Sequence, residues 1–205
     1  MKKLFFLITI ILRTCQPAVA QIQYDTVIQT KAYTSYFSFQ DKCPVMVVYK
    51  LYHGGGNCDR MGDVFKNSLG DKEASDKDYN YSGYDKGHMA NSKDFAFDCA
   101  LQEGTFRYFN ACPQTPTNNR GIWKHYETEV RKMSQTDSLL VICYNHFSKD
   151  KMNGRVSIPD TNYKVVYSLT TNHIVLSLGT TNNALPVKTN MRQSLIDEIL
   201  EKIKN

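Results

Sequence analysis

The sequence predicts an α+β fold in a single domain, and three observations carry that prediction. Strand-forming runs outnumber helical ones, they do not alternate regularly with helices, and no repeat or linker divides the 205 residues. Residues 45–52 (Val-Met-Val-Val-Tyr-Lys-Leu-Tyr) are β-branched and aromatic and predict a strand. His53-Gly54-Gly55-Gly56-Asn57 breaks it as a hairpin turn. Residues 66–83 are polar, carry several Asp and Lys, and read as an exposed loop. A short strand is expected at 105–110. A helix is expected over 118–134, since Pro116 can precede its start and no breaker follows Gly121. Further strands are predicted at 138–144, 163–169 and 173–178. From Arg192 onward, Leu195, Ile196, Ile199, Leu200 and Ile203 recur at helical spacing.

The first twenty residues read as a secretory signal peptide rather than as part of this fold. Lys2 and Lys3 form a basic start, Leu4 to Leu12 is apolar, and Ala18-Val19-Ala20 offers small residues for cleavage. The run is too short for a membrane span, and Arg13-Thr14 ahead of Cys15 fit a lipoprotein signal poorly. No later stretch is long and apolar enough to span a bilayer. Removing this segment takes away three cations and no acid, so the formal charge falls from +5 to +2. A chain near +2 is not uniformly basic, and binding to nucleic acid would need charge concentrated locally.

Export makes disulfides possible among Cys43, Cys58, Cys99, Cys112 and Cys143. Closeness in sequence favours Cys43/Cys58 and Cys99/Cys112, with one thiol left over. No CxxC pair or Cys/His spacing suggests structural zinc. His53-Gly54-Gly55-Gly56 has the look of an esterase oxyanion loop, but there is no GxSxG to accompany it, and a Walker loop is also absent. The interleaved aromatics Tyr79, Tyr81, Tyr84, Phe95 and Phe97 could stack bases, although most are expected in packing.

Two segments concentrate reactive and amide side chains. One is Tyr84-Asp85-Lys86-Gly87-His88-Met89. The other is Asn110-Ala111-Cys112-Pro113-Gln114, followed by Asn118-Asn119-Arg120-Gly121-Ile122-Trp123 and Glu127. Together they resemble the DNA/RNA non-specific endonuclease family. Its DRGH signature stands here as Asp85-Lys86-Gly87-His88. Its downstream pattern, Asn-x-x-Pro-Gln, then Asn-x-Gly-x-Trp and a Glu four residues on, is met in full. The resemblance runs from about Val45 to about Tyr167. It implies a ββα-metal core on a mostly antiparallel sheet, and metal-dependent hydrolysis of DNA and RNA with little sequence preference.

The residues fit that chemistry. Phosphodiester hydrolysis needs a base for water, a cation for the developing charge and help for the leaving oxygen. A neutral imidazole is a natural base near neutral pH, which assigns His88. Gly87 beside it permits close backbone approach. Asn119 is the expected metal ligand, because a neutral amide oxygen suits Mg²⁺, or Mn²⁺ in its place. In an unbroken helix, Asn119, Trp123 and Glu127 would fall within about 80° of one another. Glu127, about 12 Å along the axis, would then act through a metal-bound water, with Trp123 as packing support. Arg60 is the candidate for gripping the transition-state phosphate, and Arg131 is expected to pair with Glu127 or with phosphate. Asp85 should orient its loop, and Asn110 and Gln114 should shape the metal side by hydrogen bonding. Lys86 departs from the family's arginine. It keeps the charge and loses the planar fork, which bears on phosphate affinity and rate more than on reaction type. Two competing readings keep the fold. One is a non-catalytic extracellular nucleic-acid-binding module; the other is an antagonistic nuclease toxin.

Overall fold

The structure, a computed structural model, describes residues 22–60, 62–187 and 193–204. The predicted signal peptide, Cys15 and Arg192 lie outside the described residues. Nine strands and four α-helices follow in chain order: β1 Thr26–Gln29, β2 Thr34–Ser38, β3 Cys43–Leu51, α1 Asp76–Tyr79, β4 Asp85–His88, α2 Cys99–Gly104, β5 Ala111–Gln114, α3 Lys124–Met133, β6 Leu139–Met152, β7 Val156–Ser168, β8 His173–Thr181, β9 Pro186–Val187 and α4 Gln193–Lys204. Seven strands form one sheet in the order β1-β2-β3-β6-β7-β8-β9, and every pair in it is antiparallel. Strands β4 and β5 form a separate two-stranded ribbon.

The central strands are apolar on both faces because both faces are covered. Val47, Tyr49 and Leu51 of β3 join Leu139, Val141 and Cys143 of β6 and Val166 of β7 in one core, together with Met89, Cys112, Trp123 and Val130. The alternate residues Met46, Val48, Leu140, Ile142, Val165 and Tyr167 meet Ile196 and Ile199 of α4. The strand period of two thus splits the sheet between a layer holding Met89 and Trp123 on one face and a C-terminal helix on the other. Among the described residues no helix is long and apolar enough to cross a membrane.

Several expectations need correction. The chain does not form a hairpin after β3, which pairs with β2 and β6. His53–Arg60 instead runs along residues 93–99, with Gly55 N donating to Asp94 O, Cys58 N to Ala96 O, and Lys93 Nζ to Gly56 O. Gly56 is required here: its φ is +127°, and a Cβ would overlap the Ala96 carbonyl. The 66–83 segment is not simply exposed, since Glu73, Ala74, Asp78 and Tyr79 are buried. The tip of the β6–β7 hairpin reaches over to hold it. Arg155 Nε donates to Asp78 Oδ1 at 2.8 Å and Arg155 Nη2 to Glu73 O at 2.8 Å. The strand expected at 105–110 is a tight turn over Tyr108–Asn110, with β5 beginning one residue later. Buried Phe106, Tyr108 and Phe109 produced the strand signal, but Asn110 bends the chain there.

The disulfide joins Cys58 to Cys99, 41 residues apart, and not the sequence-adjacent pairs. Cys43, Cys112 and Cys143 are free thiols buried in the same layer as Met89 and Trp123. Contact in the fold, not separation in sequence, selected the partners. Non-reducing peptide mapping should recover a Cys58–Cys99 cross-link. By loop-closure entropy, replacing both by serine should cost about 4 kcal/mol of stability, read as a lower melting temperature. A mapped bond to Cys43 or Cys112 would overturn this topology.

Candidate active site

The β4–β5 ribbon places His88 opposite Ala111 and Gly87 opposite Cys112. Its far end is pinned by main chain and amide: Met89 N donates to Asn110 O, and the Asn110 side chain bonds Ala90 N, Ala90 O and Thr105 O. The Trp123 indole donates to the His88 carbonyl at 3.4 Å. Trp123 is therefore fully buried support for the histidine backbone.

The His88 ring packs between Phe65 and Phe106, each with its centroid 4.8 Å away. The residue is only 9% exposed, and Nε2 has no hydrogen-bond partner among the described residues. Burial, reinforced by the positive charge of Arg60, pushes its pKa down to about 3. The imidazole is thus neutral across the physiological range. Arg60 is exposed, and its guanidinium carbon sits 5.3 Å from the centre of the Phe106 ring. Arg60 and His88 therefore contact the same phenyl group. Sequence reasoning missed Phe65 and Phe106, because an aromatic beside a histidine in space leaves no local pattern.

Asp85, at the start of β4, bonds the other motif directly. Its Oδ2 accepts from Asn119 Nδ2 at 2.9 Å and Arg120 Nε at 2.8 Å, and its Oδ1 accepts from Arg120 Nη2 at 2.6 Å. Burial alone would raise the Asp85 carboxyl, but these bonds with Arg120 and Asn119 hold it below its ordinary value. The Asn119 amide nitrogen is committed to Asp85, which leaves Oδ1 as the atom to meet a cation. Among the described residues no three His, Cys, Asp or Glu side chains gather as a metal cage. The donor set therefore fits a hard cation held by one amide oxygen and water, such as Mg²⁺.

The helix expected at 118–134 is broken. Residues Asn118–Trp123 form a wide π-type turn with Gly121 non-helical (φ −102°, ψ −107°), and α3 proper begins at Lys124. The single-face geometry for Asn119, Trp123 and Glu127 does not hold. Asn119 is half-buried beside Asp85, whereas Trp123 and Glu127 turn into the core. The anchor of this turn is Asn118, which the motif reading passed over. Asn118 Nδ2 donates to Asn162 Oδ1, Asn162 Nδ2 to Asn145 Oδ1, and Asn145 Nδ2 to Pro44 O. This amide chain ties the turn to β7, β6 and β3.

Three supporting residues are placed differently from expectation. Arg131 does not salt-bridge Glu127: Nη1 bonds Asp94 Oδ1 at 2.8 Å and Asn91 Oδ1 at 3.1 Å. Gln114 is fully buried, but neither amide atom has a hydrogen-bond partner. It packs over Gly87, where any Cβ would overlap the Gln114 amide. Lys86 pairs with Asp76, which also accepts from Tyr108 Oη at 2.7 Å. Glu127 is buried with its pKa raised by desolvation, against the opposing influence of Lys164, Asn91 and Arg131.

A histidine closing a two-stranded ribbon, backed by a helix whose first turn bonds the ribbon's aspartate, is the ββα arrangement that the two motifs imply. The chain belongs to the DNA/RNA non-specific endonuclease family, whose profile matches residues 13–203. It is similar to a nuclease of Nostoc sp. (37% identical over 93 residues, 44% of this chain and 34% of that protein). It is also similar to the mitochondrial endonuclease G of Bos taurus (30% over 70 residues, 34% of this chain and 23% of that protein). A mitochondrial nuclease of Saccharomyces cerevisiae matches at 35% over 83 residues, 38% of this chain and 25% of that protein. The matches span a third or less of these relatives' own length, or barely more. A chain from the crystal structure of an EndoG/EndoGI complex superposes with a TM-score of 0.67 at 21% identity, covering 85% of this chain and 80% of that one, so the fold is shared.

The buried histidine carries a pH prediction. Its folded pKa of about 3 lies below the ordinary 6.5, so between those values the unfolded chain binds the extra proton. The stability it contributes is complete above pH 6.5 and is lost as pH falls toward 3. Melting curves should show His88→Gln gaining on the wild type as pH drops from 7 to 4. A constant difference across that window would refute the buried neutral state. Gly87→Ala should lower stability by about 1–3 kcal/mol through overpacking against Gln114, and denaturant titration measures it.

Proposed function

We propose that this protein is an exported, metal-dependent endonuclease that hydrolyses phosphodiester bonds of DNA and RNA with little sequence preference, leaving 5′-phosphates. The observation that carries this reading is the neutral His88 imidazole, with an unpaired Nε2, packed beside Arg60 at the end of the ribbon that Asp85 ties to Asn119. His88 Nε2 takes a proton from water, the water oxygen bonds phosphorus in line, the P–O3′ bond breaks with its electron pair going to O3′, and O3′ takes a proton from solvent water. The ends are a 5′-phosphate and a 3′-hydroxyl. Approach of the anionic phosphate favours the protonated imidazole, so a base with a low resting pKa strengthens as substrate binds. The Arg60 guanidinium grips the phosphate oxygens. Asn119 Oδ1 would hold Mg²⁺ or Mn²⁺, which supplies charge neutralisation at the phosphate and the leaving oxygen. Asp85 orients Asn119, while Glu127 and Arg131 support α3 from its buried side.

No step uses the 2′-hydroxyl, so both sugars serve. Recognition through phosphate rather than base edges gives little sequence preference. Export rests on the apolar N-terminal run that ends in Ala18-Val19-Ala20.

Purified protein should cut plasmid DNA and RNA, stop on addition of EDTA, and resume with Mg²⁺ or Mn²⁺. His88→Ala should lower turnover by about 10² to 10⁴ while retaining nucleic-acid binding. An undiminished rate would remove His88 as base, and 2′,3′-cyclic phosphate ends on RNA would refute water as the nucleophile. Binding by the wild type without cleavage in either metal would replace this reading with that of a binding module.

A further inference from the structure

Lysine is almost never fully buried without a partner, yet Lys164 is 0% exposed in the middle of β7. Strand register explains where it points. Lys164 lies opposite Cys143 of β6, which lies opposite Val47 of β3. Val47 and Cys143 both face the layer that holds Trp123 and Val130, so Lys164 faces it too. Its Nζ stands 4.4 Å from the centre of the Trp123 ring, and no oxygen acceptor bonds it.

The layer above holds two buried acids and one other cation. Asp94 is engaged by Arg131 at 2.8 Å and by Tyr49 Oη at 2.7 Å. Glu127, one turn beyond Trp123, has Asn91 as its hydrogen-bond partner and Lys164 as its foremost positive neighbour. Asp94 and Arg131 form an ion pair; Lys164 makes no direct ion pair with Glu127 among the described residues, but is the leading positive influence on that buried carboxyl at longer range. Burial alone would strip the Lys164 proton, and Cys143, Glu127 and Asp94 hold it in place.

We infer that Lys164 is a positioning residue for the proposed reaction: its ammonium, stacked on Trp123, is the buried counter-charge that anchors the Glu127 carboxylate and so fixes α3 against the His88 segment. The inference depends on the proposed function for the task of Glu127, but not for the coupling itself. Lys164 touches no reacting atom. It acts through Glu127 and through Trp123, which holds the His88 carbonyl.

The test is a double-mutant cycle with two readouts. Lys164→Met keeps the aliphatic stem over Trp123 and removes the charge, and Glu127→Gln removes the partner charge. Melting temperature, measured without metal or nucleic acid, should fall by roughly 5–15 °C for K164M. K164M/E127Q should recover at least half of that loss. Calorimetric Mn²⁺ titration and turnover on plasmid DNA give the second readout. K164M should weaken one or both by about 10- to 100-fold, and Lys164→Arg should restore most of the difference. An additive cycle, or K164M with wild-type Mn²⁺ affinity and turnover, would overturn the inference. If K164M alone does not fold, a folded K164M/E127Q protein supports the coupling and an unfolded one refutes it. A wild type without nuclease activity would defeat the proposed function while the melting cycle still decides the coupling.

Discussion

The contact between Asp85 and Asn119 holds the two halves of the site together. A two-stranded ribbon is marginal by itself, and β4 has β5 as its strand partner among the described residues. What keeps the ribbon in one place is a set of side-chain bonds from outside it. Asp85 receives Asn119 and Arg120 at one end, and the Trp123 indole and the Asn110 amide secure the other. Each replaces a ladder bond the short ribbon cannot make. The seven-stranded sheet then serves as foundation, because the Asn118–Asn162–Asn145 chain delivers its rigidity to the turn that carries Asn119.

Charge is partitioned around this scaffold. A carboxylate beside His88 would favour the imidazolium and remove the base that the proposed reaction requires. The influences on His88 are instead burial and a cation, Arg60. The buried acids Asp94 and Glu127 interact with Arg131, Lys164 and Asn91. Lys86 and Arg120, though near the ribbon, are already paired with Asp76 and Asp85. Arg60 stands against the Phe106 wall of the histidine pocket, and Lys86 against the Phe65 wall.

Much of this was legible in the sequence, for identifiable reasons. The β3 run, the strands now seen as β6 to β8 and the C-terminal helix announced themselves by strand or helical periodicity, because each spans one or both cores. The strands β1 and β2 were not read, being short and flanked by polar residues. The two motifs brought the candidate site residues forward through their resemblance to the family's pattern. What spacing could not supply was contact between distant segments. Cys58–Cys99, the Phe65 and Phe106 walls, and the Asn118 anchor all join stretches tens of residues apart. Lys164 was the least legible of all, since a lysine within a Tyr-Lys-Val-Val-Tyr strand reads as a solvent-facing position.

Gly121 shows why the helical-wheel geometry expected for Asn119, Trp123 and Glu127 does not hold. On a continuous helix Asn119 and Glu127 would share a face and compete for one environment. The break at Gly121 uncouples them. Before it, the wide turn leaves Asn119 half-buried, its amide nitrogen fixed by Asp85. After it, α3 turns Trp123, Glu127 and Val130 into the layer above the sheet. One residue with freedom of backbone conformation thus lets a half-buried amide and a desolvated carboxyl sit eight positions apart on the same segment, each in a different dielectric.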